Sequence, residues 1–152
     1  MPLGRRLAIL LKVLGVFLLV GPPIGALTFF VGMGVYGASQ TGDVAGLLWV
    51  ALFGLIYAVP LSYLIGVMPA ATAGLILGTT AVLYRPPGFL FSLVTGAVVG
   101  LGLVYSEGRS VALPSVETVS NDVLAVLLIT ACLVATVLCW AVARCFIGRP
   151  SV

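Results

Sequence analysis

Apolar positions in this chain run in long unbroken stretches, and five can be marked: residues 13–36, 45–65, 69–84, 89–105 and 122–143. Continuous Leu/Val/Ala/Gly-rich runs, lacking the period-two alternation of outer-membrane strands, predict helices whose solvent is lipid. Turn-forming residues punctuate them: the polar stretch 37–43, the triplet Gly66-Val67-Met68, the turn Arg85-Pro86-Pro87-Gly88, and the polar loop 106–121. The expected fold is an all-α integral membrane protein, a small polytopic helix bundle with a single membrane domain over residues 1–152.

Composition sharpens this expectation. Of 152 residues, 62% are hydrophobic and 7% charged, against about 25% charged in a soluble domain, so a water-facing surface could not be furnished. Arg5 and Arg6 ahead of an apolar run resemble an export signal. However, the run from Leu7 to Gly37 is far longer than a signal core of about 7–15 residues, and Pro22 and Pro23 interrupt it. An uncleaved signal-anchor is expected.

Charge then selects a topology. If all five segments cross from a cytoplasmic N-terminus, Arg5, Arg6, Lys12 and Arg109 lie inside, and Arg85, Arg144 and Arg149 lie outside. If residues 45–84 make one net crossing, Arg5, Arg6, Lys12, Arg85, Arg144 and Arg149 are all inside, and Arg109 is the one basic residue outside. The positive-inside rule favours the second arrangement. As one helix, residues 45–84 would be about 60 Å long, twice the hydrocarbon thickness of about 30 Å, so one half must turn back or lie in the interface. Segment 69–84, about 24 Å long, is the expected re-entrant or half-length helix beside four crossings. Five transmembrane helices are the alternative. Tyr36, Trp49, Tyr63, Tyr84, Tyr105 and Trp140 read as interface anchors, whereas Tyr57, nearer mid-segment, calls for a buried hydroxyl partner.

Small residues recur four apart: Gly54, Ala58, Ser62 and Gly66; Ala70, Gly74 and Gly78; Ser92, Gly96 and Gly100; Ala131, Ala135 and Cys139; and Gly21 with Gly25. Positions i and i+4 share a helix face, so each set forms a flat ridge that another backbone can approach. The four-residue turn 85–88 implies that the ridges of 69–84 and 89–105 face each other. One ridge turned outward would instead drive homo-oligomerisation.

Prolines are the second pattern, with Pro22, Pro23, Pro60 and Pro69 as expected helix breaks. Proline has no N–H, so Pro22 and Pro23 free the carbonyls of Leu18 and Leu19, and Pro60 frees that of Ile56. Such groups can line a transporter site or be taken up by neighbouring hydroxyls.

The chemistry left over is sparse. With no His, three Cys and no CxxC pair, neither a zinc site nor a disulfide framework is indicated. Cys132 and Cys139 share a face as packing residues. No ionisable group lies deep in a segment, and Ser106, Glu107, Arg109, Ser110 and Ser115 lack a base-and-nucleophile spacing, so no catalytic residue and no cofactor are expected.

Gly21-Pro22-Pro23-Ile24-Gly25, followed by Tyr63-Leu64-Ile65-Gly66-Val67-Met68-Pro69-Ala70-Ala71-Thr72-Ala73-Gly74, resembles a pattern in small uncharacterised proteobacterial inner-membrane proteins of unknown function, over about a third of the chain. The resemblance implies a bacterial inner (plasma) membrane setting and assigns no activity. The expected role is an accessory or assembly component without enzymatic activity, acting through helix packing. Its partners would be the lipid bilayer and a homo-oligomer or larger membrane protein, with no nucleic acid. The alternative is a small channel or transporter for an uncharged or weakly polar solute.

Alkaline phosphatase fused near residue 113 is expected to be active, and fused after Val152 inactive. The opposite pair of results would remove the four-crossing arrangement.

Overall fold

A computed structural model describes residues 3–42, 44–83, 88–110 and 121–147, all of them helical except Gly42 and Gly88. Helix α1 spans Leu3–Thr41, α2 spans Val44–Phe53, and a π-helical turn, Gly54–Ala58, joins α2 directly to α3, Val59–Leu83. Helices α4, Phe89–Ser110, and α5, Asn121–Ile147, complete the order. Among the described residues, four helices are long and apolar enough to cross a membrane, within 6–41, 66–83, 89–106 and 122–145. The chain is an all-α polytopic bundle.

Helix α1 continues through residues 37–41 of the polar stretch that reads as a loop. The Ser39 and Thr41 hydroxyls donate to the carbonyls of Tyr36 and Gly37, at 2.6 and 3.0 Å, so residues typical of turns extend the helix instead. The stop falls at Gly42, whose φ of +70° lets its N–H reach the Ala38 carbonyl at 2.8 Å. That single bond from a left-handed glycine is a common helix C-terminus. Similarly, α4 runs on to Ser110, five residues beyond the expected end at Tyr105, with the Ser106 hydroxyl on the Leu103 carbonyl at 2.8 Å.

The largest correction concerns residues 66–84. No turn occurs at Gly66-Val67-Met68, and 69–84 is neither re-entrant nor separate, because α3 continues through Pro69 to Leu83. In lipid, unpaired backbone groups find no water, so a Gly–Val–Met sequence that would turn in solution keeps its helix. The half-length helix is α2, at the other end of the rod. The irregularity sits at the π turn, just ahead of Pro60. There the missing proline donor and the clash with the Ile56 carbonyl are absorbed by a widened turn. At about 58 Å for α1 and 60 Å for 44–83, each rod is about twice the hydrocarbon thickness.

Opposing residues define the packing. Gly54 lies against Phe30, Gly66 against Pro22, Gly74 against Phe17 and Gly78 against Leu10, so α2–α3 runs antiparallel to α1. Gly21, Gly25 and Gly32 lie against Cys139, Ala135 and Leu127, so α5 is also antiparallel to α1. Gly96 and Gly100 lie against Thr136 and Ile129, which makes α4 antiparallel to α5. The first residue of α1 and the last of α5 therefore share one end, the basic end, with Arg6, Lys12 and Arg144, all exposed; Asp122 marks the other, acidic end. Arg5 belongs to the first turn of α1, while Tyr84, Arg85 and Arg149 lie outside the described residues.

The expected face-to-face ridges of 69–84 and 89–105 do not occur. Gly74 and Gly78 face α1, whereas Ser92, Gly96 and Gly100 face α5. The ridge of α3 serves α1, and that of α4 serves α5 and not α3, to which it is joined by the shorter link. The buried core, Val13, Phe17, Ala73, Leu77, Cys139 and Ala143, sits where α1, α3 and α5 meet in the basic half, flanked by Val99 of α4.

Close approach predicts a contrast between two glycines of α4. A Cβ at position 100 would stand 3.1 Å from the Ile129 backbone, but one at position 102 meets nothing within 4 Å. In reversible unfolding from mixed micelles, Gly100→Ala is expected to lower stability by about 1–3 kcal/mol. Gly102→Ala should be neutral or stabilising by up to about 1 kcal/mol. Equal responses would remove the close-packing account.

Candidate functional site

Two features of the α1/α2–α3 hairpin carry the chemistry this chain has. The first is a clasp at the double proline. Pro23 leaves the Leu19 carbonyl without its helical donor. The Tyr63 hydroxyl donates to that carbonyl at 2.7 Å, from α3 across to α1. Three residues further along α3, Gly66 allows the Pro22 ring to seat, since a Cβ there would stand 3.2 Å from Pro22 Cβ. Tyr63 reads in sequence as an interface anchor at a segment end. With 44–83 continuous, it lies mid-rod and serves as a donor, so the freed carbonyl is spent on packing. Pro69 sits within α3, and the Thr72 hydroxyl donates to its carbonyl at 2.9 Å.

The second feature is an aromatic face. Trp49, Phe53 and Tyr57 follow one another at four-residue spacing, with ring centroids 6.0 and 5.8 Å apart, and Phe53 stacks on Tyr57 at 18°. Among the described residues the buried partner expected for Tyr57 is not found, and this side chain points out of the bundle, 60% exposed. Leu48, Leu52 and Ile56 are exposed beside it. Among the described residues, α2 and the π turn touch only each other, α1 and α3, so nothing of α4 or α5 covers this face.

The remaining small-residue positions belong to the scaffold. Ser62 lies in α3 and Ala58 in the π turn, on the i+4 series that runs from Gly54 to Gly78; Ala70 opposes Gly21. The buried polar side chains among the described residues are Ser92, Thr95 and Thr136. Thr95 donates to the Phe91 carbonyl at 2.8 Å, and Ser92 approaches that of Thr136 at 3.5 Å. Cys139 is fully buried against Gly21, and Cys132 lies against Gly100. At the basic end, Phe89 meets Trp140 edge-on at 6.0 Å, and the Arg144 guanidinium lies 5.2 Å from the same ring. Among the described residues, no three His, Cys, Asp or Glu side chains gather as a metal site. The Tyr63 and Ser92 hydroxyls reach toward carbonyls of another helix, whereas those of Thr72 and Thr95 bond within their own. Comparison with protein-family models, curated proteins and solved structures finds no match for the chain.

The clasp is tested by a double-mutant cycle. Tyr63→Phe is expected to cost about 0.6–1.7 kcal/mol, the range for interhelical hydrogen bonds in membranes. In a Pro23→Ala background, where the substituted residue restores an N–H for the Leu19 carbonyl, the same change should cost distinctly less. Equal costs in both backgrounds would separate Tyr63 from the proline.

Proposed function

We propose that this protein is a non-enzymatic accessory or assembly component of a bacterial inner (plasma) membrane, with both termini cytoplasmic, that docks laterally on a larger membrane protein through α2. The observation that carries the reading is Tyr57. Its phenol is exposed eight residues, about 12 Å, along the rod from Trp49. With Trp49 at the headgroup level, where such rings anchor, the Tyr57 hydroxyl lies inside the hydrocarbon with no hydrogen-bond partner among the described residues. An unpaired hydroxyl in an apolar medium is costly, and a neighbouring helix offering a carbonyl or hydroxyl acceptor removes that cost. The stacked rings of Phe53 and Tyr57 present large contact area with few rotatable bonds, a property of interface anchors. The transport alternative loses one of its three freed carbonyls to the clasp, that of Leu19.

A photo-crosslinking residue at Phe53, with a control at Leu90 of α4, tests the reading in native membranes. Leu90 is 76% exposed on a different helix. A single membrane-protein adduct is expected at 53 and absent at 90, with Tyr57→Phe lowering its yield. Adducts to lipid alone at both positions would overturn docking. A homodimer adduct at 53 would favour the oligomeric channel.

A further inference from the structure

At the acidic end, α1 and α5 part to leave an open trough of about 560 Å³. Its wall is almost wholly apolar, with Gly32, Val35, Val126 and Leu127 in its floor; Tyr36, Ser39 and Asp122 line its rim toward the helix ends. The floor exists because Gly32 has no side chain: Leu127 of α5 fills the place a Cβ would take, holding the helices together beneath the opening. The rim is set by helix chemistry. Asp122 lies in the first turn of α5, where the helix dipole favours a carboxylate. Ser39, whose hydroxyl donates to the Tyr36 carbonyl, keeps its oxygen lone pairs as acceptors. No ion pair to Asp122 is present among the described residues.

We propose that this trough is a site for a phospholipid bearing a primary amine headgroup, its acyl chain lying on the apolar floor and its ammonium on the Asp122 carboxylate. The proposal rests on the chain spanning a membrane and is independent of docking through α2. Three observations select this occupant. The floor lies at the level of α5's apolar span, 122–145, where acyl chains are the surrounding solvent. The rim offers a carboxylate and acceptor oxygens, so it suits a cation with N–H donors and disfavours an anionic headgroup. The polar and apolar parts also follow the order of a lipid, headgroup outermost. A quaternary ammonium has no N–H to give and would lose the charge-assisted hydrogen bond.

Native mass spectrometry of the full chain, delipidated in mild detergent and titrated separately with phosphatidylethanolamine, phosphatidylcholine and phosphatidylglycerol, tests this. Phosphatidylethanolamine is expected to be retained about ten-fold more strongly than the other two, the factor of one charge-assisted hydrogen bond. Asp122→Asn should remove the preference while leaving helicity intact, and Asp122→Glu should restore it. Val126→Trp, which fills the floor with the carboxylate untouched, should lower retention of phosphatidylethanolamine. Equal retention of all three lipids, or a preference that survives both Asp122→Asn and Val126→Trp, overturns the proposal. A lipid-free dimer that Val126→Trp dissociates would assign the trough to a second copy and overturn it as well. Loss of the Phe53 cross-link with the lipid preference intact would sink docking alone, which keeps the two readings separable.

Discussion

Helix α1 has a neighbour at nearly backbone distance on each of two sides. At Gly21 an added Cβ would meet Ala70 of α3 at 3.4 Å and Cys139 of α5 at 3.7 Å. Between apolar helices in lipid, no hydrophobic force favours association, because acyl chains are as apolar as leucine. What remains is dispersion, which falls steeply with separation, and the few hydrogen bonds that cross between helices. Small side chains on the faces turned toward α1 are thus the condition for a bundle at all. The long i+4 series from Gly54 to Gly78 serves one partner for most of the rod, whereas Gly96 and Gly100 serve another.

The same solvent governs the prolines. Each costs a backbone donor, and in hydrocarbon the freed carbonyl must find another. Two responses appear in one hairpin, and Pro69 is carried without either. Tyr63 supplies a hydroxyl to Leu19 from the opposite helix. Ahead of Pro60 the chain widens into a π turn. At Pro69 the helix proceeds without a break. The first ties α1 to α3, and the second changes the direction in which α2 presents its side chains. Both help to place the Trp49–Phe53–Tyr57 face.

Class was legible from composition, because so few charges can serve only a lipid-solvated protein. Four crossings are expected from where Lys and Arg fall; among the described residues four helices are long and apolar enough to cross, but one of these spans covers 66–83, which was expected to re-enter, and none covers 45–65. Boundaries were less legible. Gly37 to Thr41 and Gly66 to Met68 carry turn residues, but turn propensity reflects competition with water, and lipid removes the competitor. Partner choice among ridges was not legible, since a small-xxx-small series shows that a backbone approaches without saying whose. The role of Tyr63 could have been found: an apolar-segment Tyr at mid-rod, in a chain with carbonyls freed by proline, is a donor seeking an acceptor. A break at 66–68 hides that role, because it places Tyr63 at a segment end.

Stability is distributed unevenly, and this bears on what the molecule can do. The buried cluster of Val13, Phe17, Leu77, Cys139 and Ala143 holds α1, α3 and α5 together in the basic half. In the acidic half, among the described residues, α2 has only α1 and the rod it belongs to as neighbours. A helix so placed buries little apolar surface against protein, and locally weak elements are those from which binding surfaces are drawn. Nineteen glycines and eleven charged residues leave this chain few ways to act beyond shape, aromatic contact and an occasional carboxylate. The exposed aromatic face and the Asp122 trough both lie in that less consolidated half. The basic half anchors the fold, and the acidic half is the one its own helices consolidate least.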